Sequence, residues 1–263
     1  MFNTTRIFAI LVLSTFCSRV IALDAAANSS VQSPVSAATS AASRGAKYST
    51  AFSSTQKRIS ERGRFITSTT PGVNWSGLRL GGCGCLPVAP VAITAPGLAQ
   101  SPNIGGHVGD ALAVATGTWG RDQTVTIKVA DIPPTRKGYQ EVEIRLRTDP
   151  ATGRGYEIAW AYNHQYLLIA TWNGGGAVGA PAYTTLVDAR GPQYVISPGD
   201  TLTASISGNV ITVYTNGNQI YRYTDTKNSF ALGNPGFGFN EGPAGKYGIK
   251  SFSAISSGNH GND

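Results

Sequence analysis

Carboxylates two residues apart on a β-strand point the same way, and Glu141-Val142-Glu143 is such a pair. Retaining glycoside hydrolysis needs two carboxyl groups about 5 Å apart, one to deliver a proton and one to attack. Arg145 and Arg147 follow at the same spacing, where a further acid would serve that chemistry. The alternation Glu, Glu, Arg, Arg therefore reads as a solvated strand face tied by cross-strand ion pairs, with Glu157 as a partner. Tyr162-Asn163-His164-Gln165-Tyr166, together with Arg145 and Arg147, gathers residue types that general acid–base chemistry uses. Asn163-His164 falls where a hairpin turn is expected, however, and a proton-transfer histidine must be held within reach of substrate. No complete catalytic constellation is expected.

Aromatic rings stack on sugar faces, and Trp160, Tyr162, Tyr166 and Trp172 cluster in one stretch. Tyr156, Ile158, Trp160 and Tyr162 share a strand face, which argues core for Trp160. Trp172 ends a strand beside Asn173-Gly-Gly-Gly176 and is the best placed for exposure; Trp119, between Thr118 and Gly120, is second. The candidate carbohydrate-binding set is Trp172, Tyr162, Trp160, Arg145 and Tyr166. Cys83 and Cys85 could close a strained small loop in an oxidising compartment or pair with another chain. With only three histidines and no fourfold ligand spacing, no zinc site is expected. Asp122, Asp188, Asp200 and Asp225 sit in turn-like contexts without forming a spaced acidic loop, so no cofactor is expected.

The elements that would carry these residues are short strands. Gln123–Val129 alternates strictly, with Val125, Ile127 and Val129 on one face, and Glu141–Arg147 places Val142, Ile144 and Leu146 likewise. Tyr156–Tyr162 and Gln165–Trp172 read as a hairpin. Thr201–Ser207, Val210–Thr215 and Asn218–Tyr223 are joined by Gly208-Asn209 and Asn216-Gly217, dipeptides that supply the positive φ of two-residue turns. Strands near 236–240 and 247–255 complete about ten or eleven, with no helix and no fixed repeat. That pattern predicts an all-β, antiparallel, two-sheet β-sandwich.

Residues 1–22 read as a signal peptide: Arg6 precedes the apolar run Ile7–Cys17, and Val20 and Ala22 frame a cleavage site before Leu23. The run is about half the ~20 residues a bilayer span needs, so no transmembrane segment is expected after cleavage. Secretion, or another extracytoplasmic location, follows. Residues 23–70, rich in Ala, Ser and Thr, read as a disordered basic linker, and 71–263 as the sandwich. The net charge is +7. Cleavage removes Arg6 and Arg19, leaving nineteen basic against fourteen acidic residues, and Leu23–Arg79 holds seven of the basic against two acidic. Residues 80–263 carry twelve of each, so the sandwich offers no basic face to nucleic acid. Within Leu23–Arg79, the charge run Lys57–Phe65 reads as a solvated linker; its sharper alternative is an anchor to acidic polymer or anionic lipid.

Asp122-Gln123, Gly155-Tyr-Glu-Ile158, Gly199-Asp-Thr-Leu202, Val210-Ile-Thr-Val-Tyr-Thr-Asn-Gly217, Gly233-Asn-Pro-Gly-Phe-Gly-Phe239 and Tyr247-Gly-Ile-Lys-Ser-Phe-Ser-Ala254 resemble motifs of the concanavalin A-like lectin/glucanase (laminin G-like) domains. The resemblance covers roughly residues 105–256 and implies a jelly roll. It also implies that a structural calcium is common among such domains, though nothing in these residues calls for one. The family's glucanase run of acids on one strand is missing here. The functional expectation is non-catalytic binding of a glycan or cell-surface polymer. A polysaccharide lyase or hydrolase of the same fold is the first alternative, and a structural adhesion domain linked through Cys83 and Cys85 the second.

Overall fold

The computed structural model describes residues 45–71, 73, 75, 88–101, 110–130, 140–161, 164–173, 183–240 and 247–257. In chain order the strands are β1 (Lys47–Thr50), β2 (Phe65–Thr67), β3 (Ala89–Pro90), β4 (Ala92–Ala95), β5 (Leu98–Gln100), β6 (Ala111–Ala115), β7 (Gln123–Val129) and β8 (Glu141–Thr148). They continue with β9 (Gly155–Ala161), β10 (Tyr166–Trp172), β11 (Tyr183–Arg190), β12 (Thr201–Ser207), β13 (Val210–Thr215), β14 (Asn218–Thr224), β15 (Asn234–Asn240) and β16 (Ile249–Ser256). One sheet runs β14-β13-β12-β7-β16-β5-β4, with β1 also on β16; the other runs β11-β10-β9-β8-β15-β6-β2, with β3 on β6. Every named pairing is antiparallel except the two-residue β3–β6 contact. The chain is an antiparallel two-sheet β-sandwich of the jelly-roll kind.

Period-two alternation builds the core as the sequence predicts. Val125, Ile127 and Val129 of β7 face Val142, Ile144 and Leu146 of β8 and Tyr156, Ile158 and Trp160 of β9 in one buried cluster with Phe237, Phe239 and Phe252. The turns predicted at Gly208-Asn209 and Asn216-Gly217 are present, while the one about Asn163-His164 lies partly outside the described residues. Asn216 and Gly217 both have positive φ, 51° and 80°, between register partners Thr215 and Asn218. Pro235 has no N–H to give its neighbour, and the β15–β8 register shifts there, between Asn234 and Gly236.

The linker expected over residues 23–70 is corrected where the structure describes it, from Gly45 on; residues 23–44, like the signal peptide, lie outside the described residues. Lys47–Thr50 pairs with Phe252–Ile255, and Phe65–Thr67 pairs with Ala113–Ala115. Phe52, Ile59 and Phe65 are buried in the core. Phe65 makes edge-to-face contacts with Tyr48 at 5.6 Å, Phe237 at 5.6 Å and Phe252 at 5.3 Å. Single apolar plugs spaced six or seven residues apart have neither strand nor helix period, so composition concealed them. Each contributes about 1.5–3 kcal/mol of burial.

Candidate functional site on the outward face of β8, β9 and β10

Side chains alternate, so the face of β8 and β9 opposite the core carries Glu141, Glu143, Arg145 and Glu157. Arg145 and Glu157 are register partners, which satisfies the cross-strand pairing predicted from sequence. The expected solvation is corrected: every residue of β8 is buried, and Glu143 is fully so. Small residues make the room. Gly236 and Gly238 of β15 stand opposite Arg145 and Glu143 on one side, and Ala159 stands opposite Glu143 on the other. A Cβ built at Gly238 would lie 2.4 Å from a Glu143 carboxylate oxygen and 2.8 Å from the Ala111 carbonyl oxygen.

Within this floor, Arg145 Nη2 donates to Glu143 Oε2 at 2.8 Å and lies 2.7 Å from Glu157 Oε2. Trp172 Nε1 donates to the same Glu157 oxygen, and the Arg145 guanidinium lies over the Trp172 ring at 4.9 Å. Asn240 Nδ2 donates to Glu141 Oε2 at 2.7 Å. Burial, and then the Glu157 charge, push the Glu143 carboxyl well above the usual carboxylate range, against the pull of Arg145. Hydrogen-bonding capacity remains unspent: Glu143 Oε1 and Arg145 Nε and Nη1 are buried without partners. Oxygens of Glu141, Glu143 and Glu157 lie within 4.8 Å of one another, the one such carboxylate trio among the described residues. As a calcium cage it fits poorly, since the Arg145 guanidinium already bridges two of the three carboxylates.

Arg147 does not join this face. With φ of 48° it leaves the alternation, and its guanidinium donates to the carbonyls of Arg121, Phe230 and Gly208. It fastens loops and touches no site.

The predicted binding residues are thus redistributed. Trp172 is 3 % exposed, packed with Trp75, Val88, Leu112 and Val114, so its expected projection from a glycine-rich edge is corrected. Its indole turns onto Arg145 instead, which is why it stays in the site. Trp160 lies in the core, as its periodicity predicts, with an indole N–H that has no acceptor; it forms no stacking platform. Trp119 is buried too, its indole N–H donating to the Thr116 carbonyl at 2.9 Å, because Gly117, with φ of 86°, folds the loop back. Tyr166 is buried beneath Arg190, with His164 on the adjoining exposed turn. Tyr162, Cys83 and Cys85 lie outside the described residues. Asp122, Asp200 and Asp225 are spent on their turns, accepting from Ser207 and Gly208, from Ser197 and Asn216, and from Tyr156, Lys227 and Ser229.

Sequence reasoning placed Glu143 and Glu157 among solvated pairs and so missed their burial. The alternate glycines of Gly236-Phe237-Gly238 were the available signal: a strand bare on one face leaves space for its neighbours' long side chains.

No family model and no curated protein matches this sequence. Among solved structures the chain is similar to a carbohydrate-binding module, CBM66, from Bacillus subtilis, at 13% identity over 74% of this chain and 94% of that one, with a TM-score of 0.47. It is also similar to an endo-β-galactosidase from Clostridium perfringens that releases GlcNAcα1-4Gal (10% identity, 82% and 64% covered, TM-score 0.47) and to sheep galectin-11 (12% identity, 56% and 97% covered, TM-score 0.40). At such identities the likeness is one of fold alone. Among the described residues no helix is long and apolar enough to cross a membrane.

Proposed function

We propose that this protein is an extracytoplasmic, lectin-like sandwich that binds a polysaccharide or glycan without cleaving it. The observation that carries the reading is the outward face of β8–β10. A buried carboxyl and a buried guanidinium there keep one carboxyl oxygen and two donor nitrogens unpartnered beside an indole ring. Sugar hydroxyl pairs offer the matching donors and acceptors, and unmet polar atoms at such a place call for a polar occupant. A glycan array with affinity electrophoresis of the full chain tests it, retention by at least one polysaccharide being the expected result. Arg145→Lys keeps the charge and loses the fork, and should weaken that retention by about 1–3 kcal/mol. Retention by none, or an undiminished Arg145→Lys variant with native circular dichroism, would overturn the assignment.

One observation favours a second reading, hydrolysis. Glu143 and Glu157 present oxygens within 4.8 Å of each other, both meet Arg145, and burial pushes the Glu143 carboxyl toward its protonated form. This cross-strand couple is not the Glu141/Glu143 pair that the sequence suggested. New reducing ends from β-glucans that disappear in Glu157→Gln would establish it.

A further inference from the structure

The folded segment 45–70 brings five exposed basic residues, Lys47, Lys57, Arg58, Arg62 and Arg64, onto the sandwich. Arg58 is tied to the Thr69 carbonyl. None of the five enters an ion pair among the described residues. The one acid among them, Glu61, spends its oxygens on the Tyr48 and Thr50 hydroxyls and the Gln56 amide, all neutral donors. Five cations against this single carboxylate leave the segment with a net positive charge.

Two of these cations stand in the wall of a cavity of about 160 Å³, with Tyr48, Thr116, Thr118 and Trp119. Its walls are held by backbone. On one side β1 is laddered to β16. On the other, the turn at 61–63, three successive residues with positive φ, is bonded to the 116–118 loop: Thr116 N donates to the Arg64 carbonyl at 2.9 Å, and Thr116 Oγ1 to that of Gly63 at 2.7 Å. Arg64 lies over the Tyr48 ring at 5.7 Å, so the cation and the ring share one wall.

We infer that this cavity binds an acidic group of a polysaccharide, a uronate carboxylate or a sulfate, with Lys47 and Arg64 meeting the anion and the Thr116 and Thr118 hydroxyls and the aromatic rim meeting the sugar. The volume is below that of a drug-sized pocket and suits one acidic residue of a longer chain. Polysaccharide is favoured over a lipid surface because, of the exposed large apolar side chains among the described residues, Ile255 alone is paired with this edge; Tyr183, Val195 and Leu232 belong to other elements. The inference extends the glycan reading to a substrate class yet rests on different residues, so each can fail alone.

The test is affinity electrophoresis of the full chain through polygalacturonate, dextran sulfate and neutral dextran gels, with co-sedimentation on phosphatidylserine vesicles. Retention by one or both acidic polymers is expected, weakening with salt, and the polymer that retains distinguishes carboxylate from sulfate. Arg64→Gln with Lys47→Gln should reduce it roughly tenfold. Arg222→Gln, the loss of one positive charge on β14, should leave it unchanged, and retention by any neutral glycan found on the array should survive the double substitution. Failure of both acidic gels, an equal loss in Arg222→Gln, or tighter binding to vesicles than to either polymer would each overturn the inference. Loss of neutral-glycan retention alone would instead count against the β8–β10 site.

Discussion

Glu143 shows how burial sets the charge of a single side chain against the stability of the fold. Buried without solvent and facing Glu157, with Asp110 also in its field, it gives up its proton reluctantly. The native state thus binds that proton more tightly than the unfolded chain, where a glutamate titrates near about 4.3. The resulting stability is full below that pH and is lost as pH rises through the elevated native value. Glu143→Gln cannot titrate but can still accept from Arg145. Urea unfolding at a series of pH values should show wild type losing stability above about pH 4.3 relative to Glu143→Gln, the gap widening until the native carboxyl is ionised. Parallel curves would mean that Glu143 is not held protonated. The residue types here were legible, since the alternation of Glu141, Glu143, Arg145 and Arg147 suggested cross-strand pairs with Glu157 as a partner. Their burial was not, because period two distinguishes the two faces of a strand without saying whether the second face is covered.

At the scale of elements, β9 is bound to the β14–β15 connection by a buried hydrogen-bond cluster that no local pattern announces. Tyr156 Oη donates to Asp225 Oδ2 at 2.6 Å and accepts from Phe230 N at 3.2 Å, and its ring meets that of Phe230 edge-on. Burial and then the Asp225 bond push the Tyr156 hydroxyl up to about 12. Burial alone would raise the Asp225 carboxyl, but the Tyr156 hydroxyl and the Ser229 and Lys227 N–H groups outweigh it and hold it below the usual range. A lowered carboxylate contributes stability above its unfolded pKa of about 3.9 and loses it as pH falls through the native value. Tyr156→Phe should cost about 1–2 kcal/mol near neutral pH by thermal unfolding. The cost should shrink as the pH falls through the Asp225 titration, because the variant's carboxylate is less depressed. The strands themselves were legible wherever alternation ran six residues or longer, as in β7, β8 and β13, and where Asn216-Gly217 fixed a turn. Strands of two to five residues, β1 through β6, carry too few alternations to register and are set by the sheet they join.

For the whole molecule, the consequence is that the sandwich begins before its recognisable motifs do. Residues 45–70 supply Phe52, Ile59 and Phe65 to the core, close one sheet with β2 and add β1 to the other. They also bring the positive charge that a linker would have carried away from the domain. Three large buried side chains are worth several kcal/mol together, comparable to the ~5–15 kcal/mol that holds an ordinary domain folded. A chain of residues 71–263 should therefore fail to show a cooperative thermal transition by circular dichroism, while residues 45–263 should melt as one unit. The longer piece should also resist trypsin at Lys57, Arg58, Arg62 and Arg64, whose backbone is held by the Gln56–Ile93, Ile59–Val91 and Thr116–Arg64 bonds. A cooperative transition of equal midpoint from 71–263 would show that the segment is an ornament on a self-sufficient sandwich. The basic cavity would then be an appendage as well, and its ligand would bind without stabilising the fold.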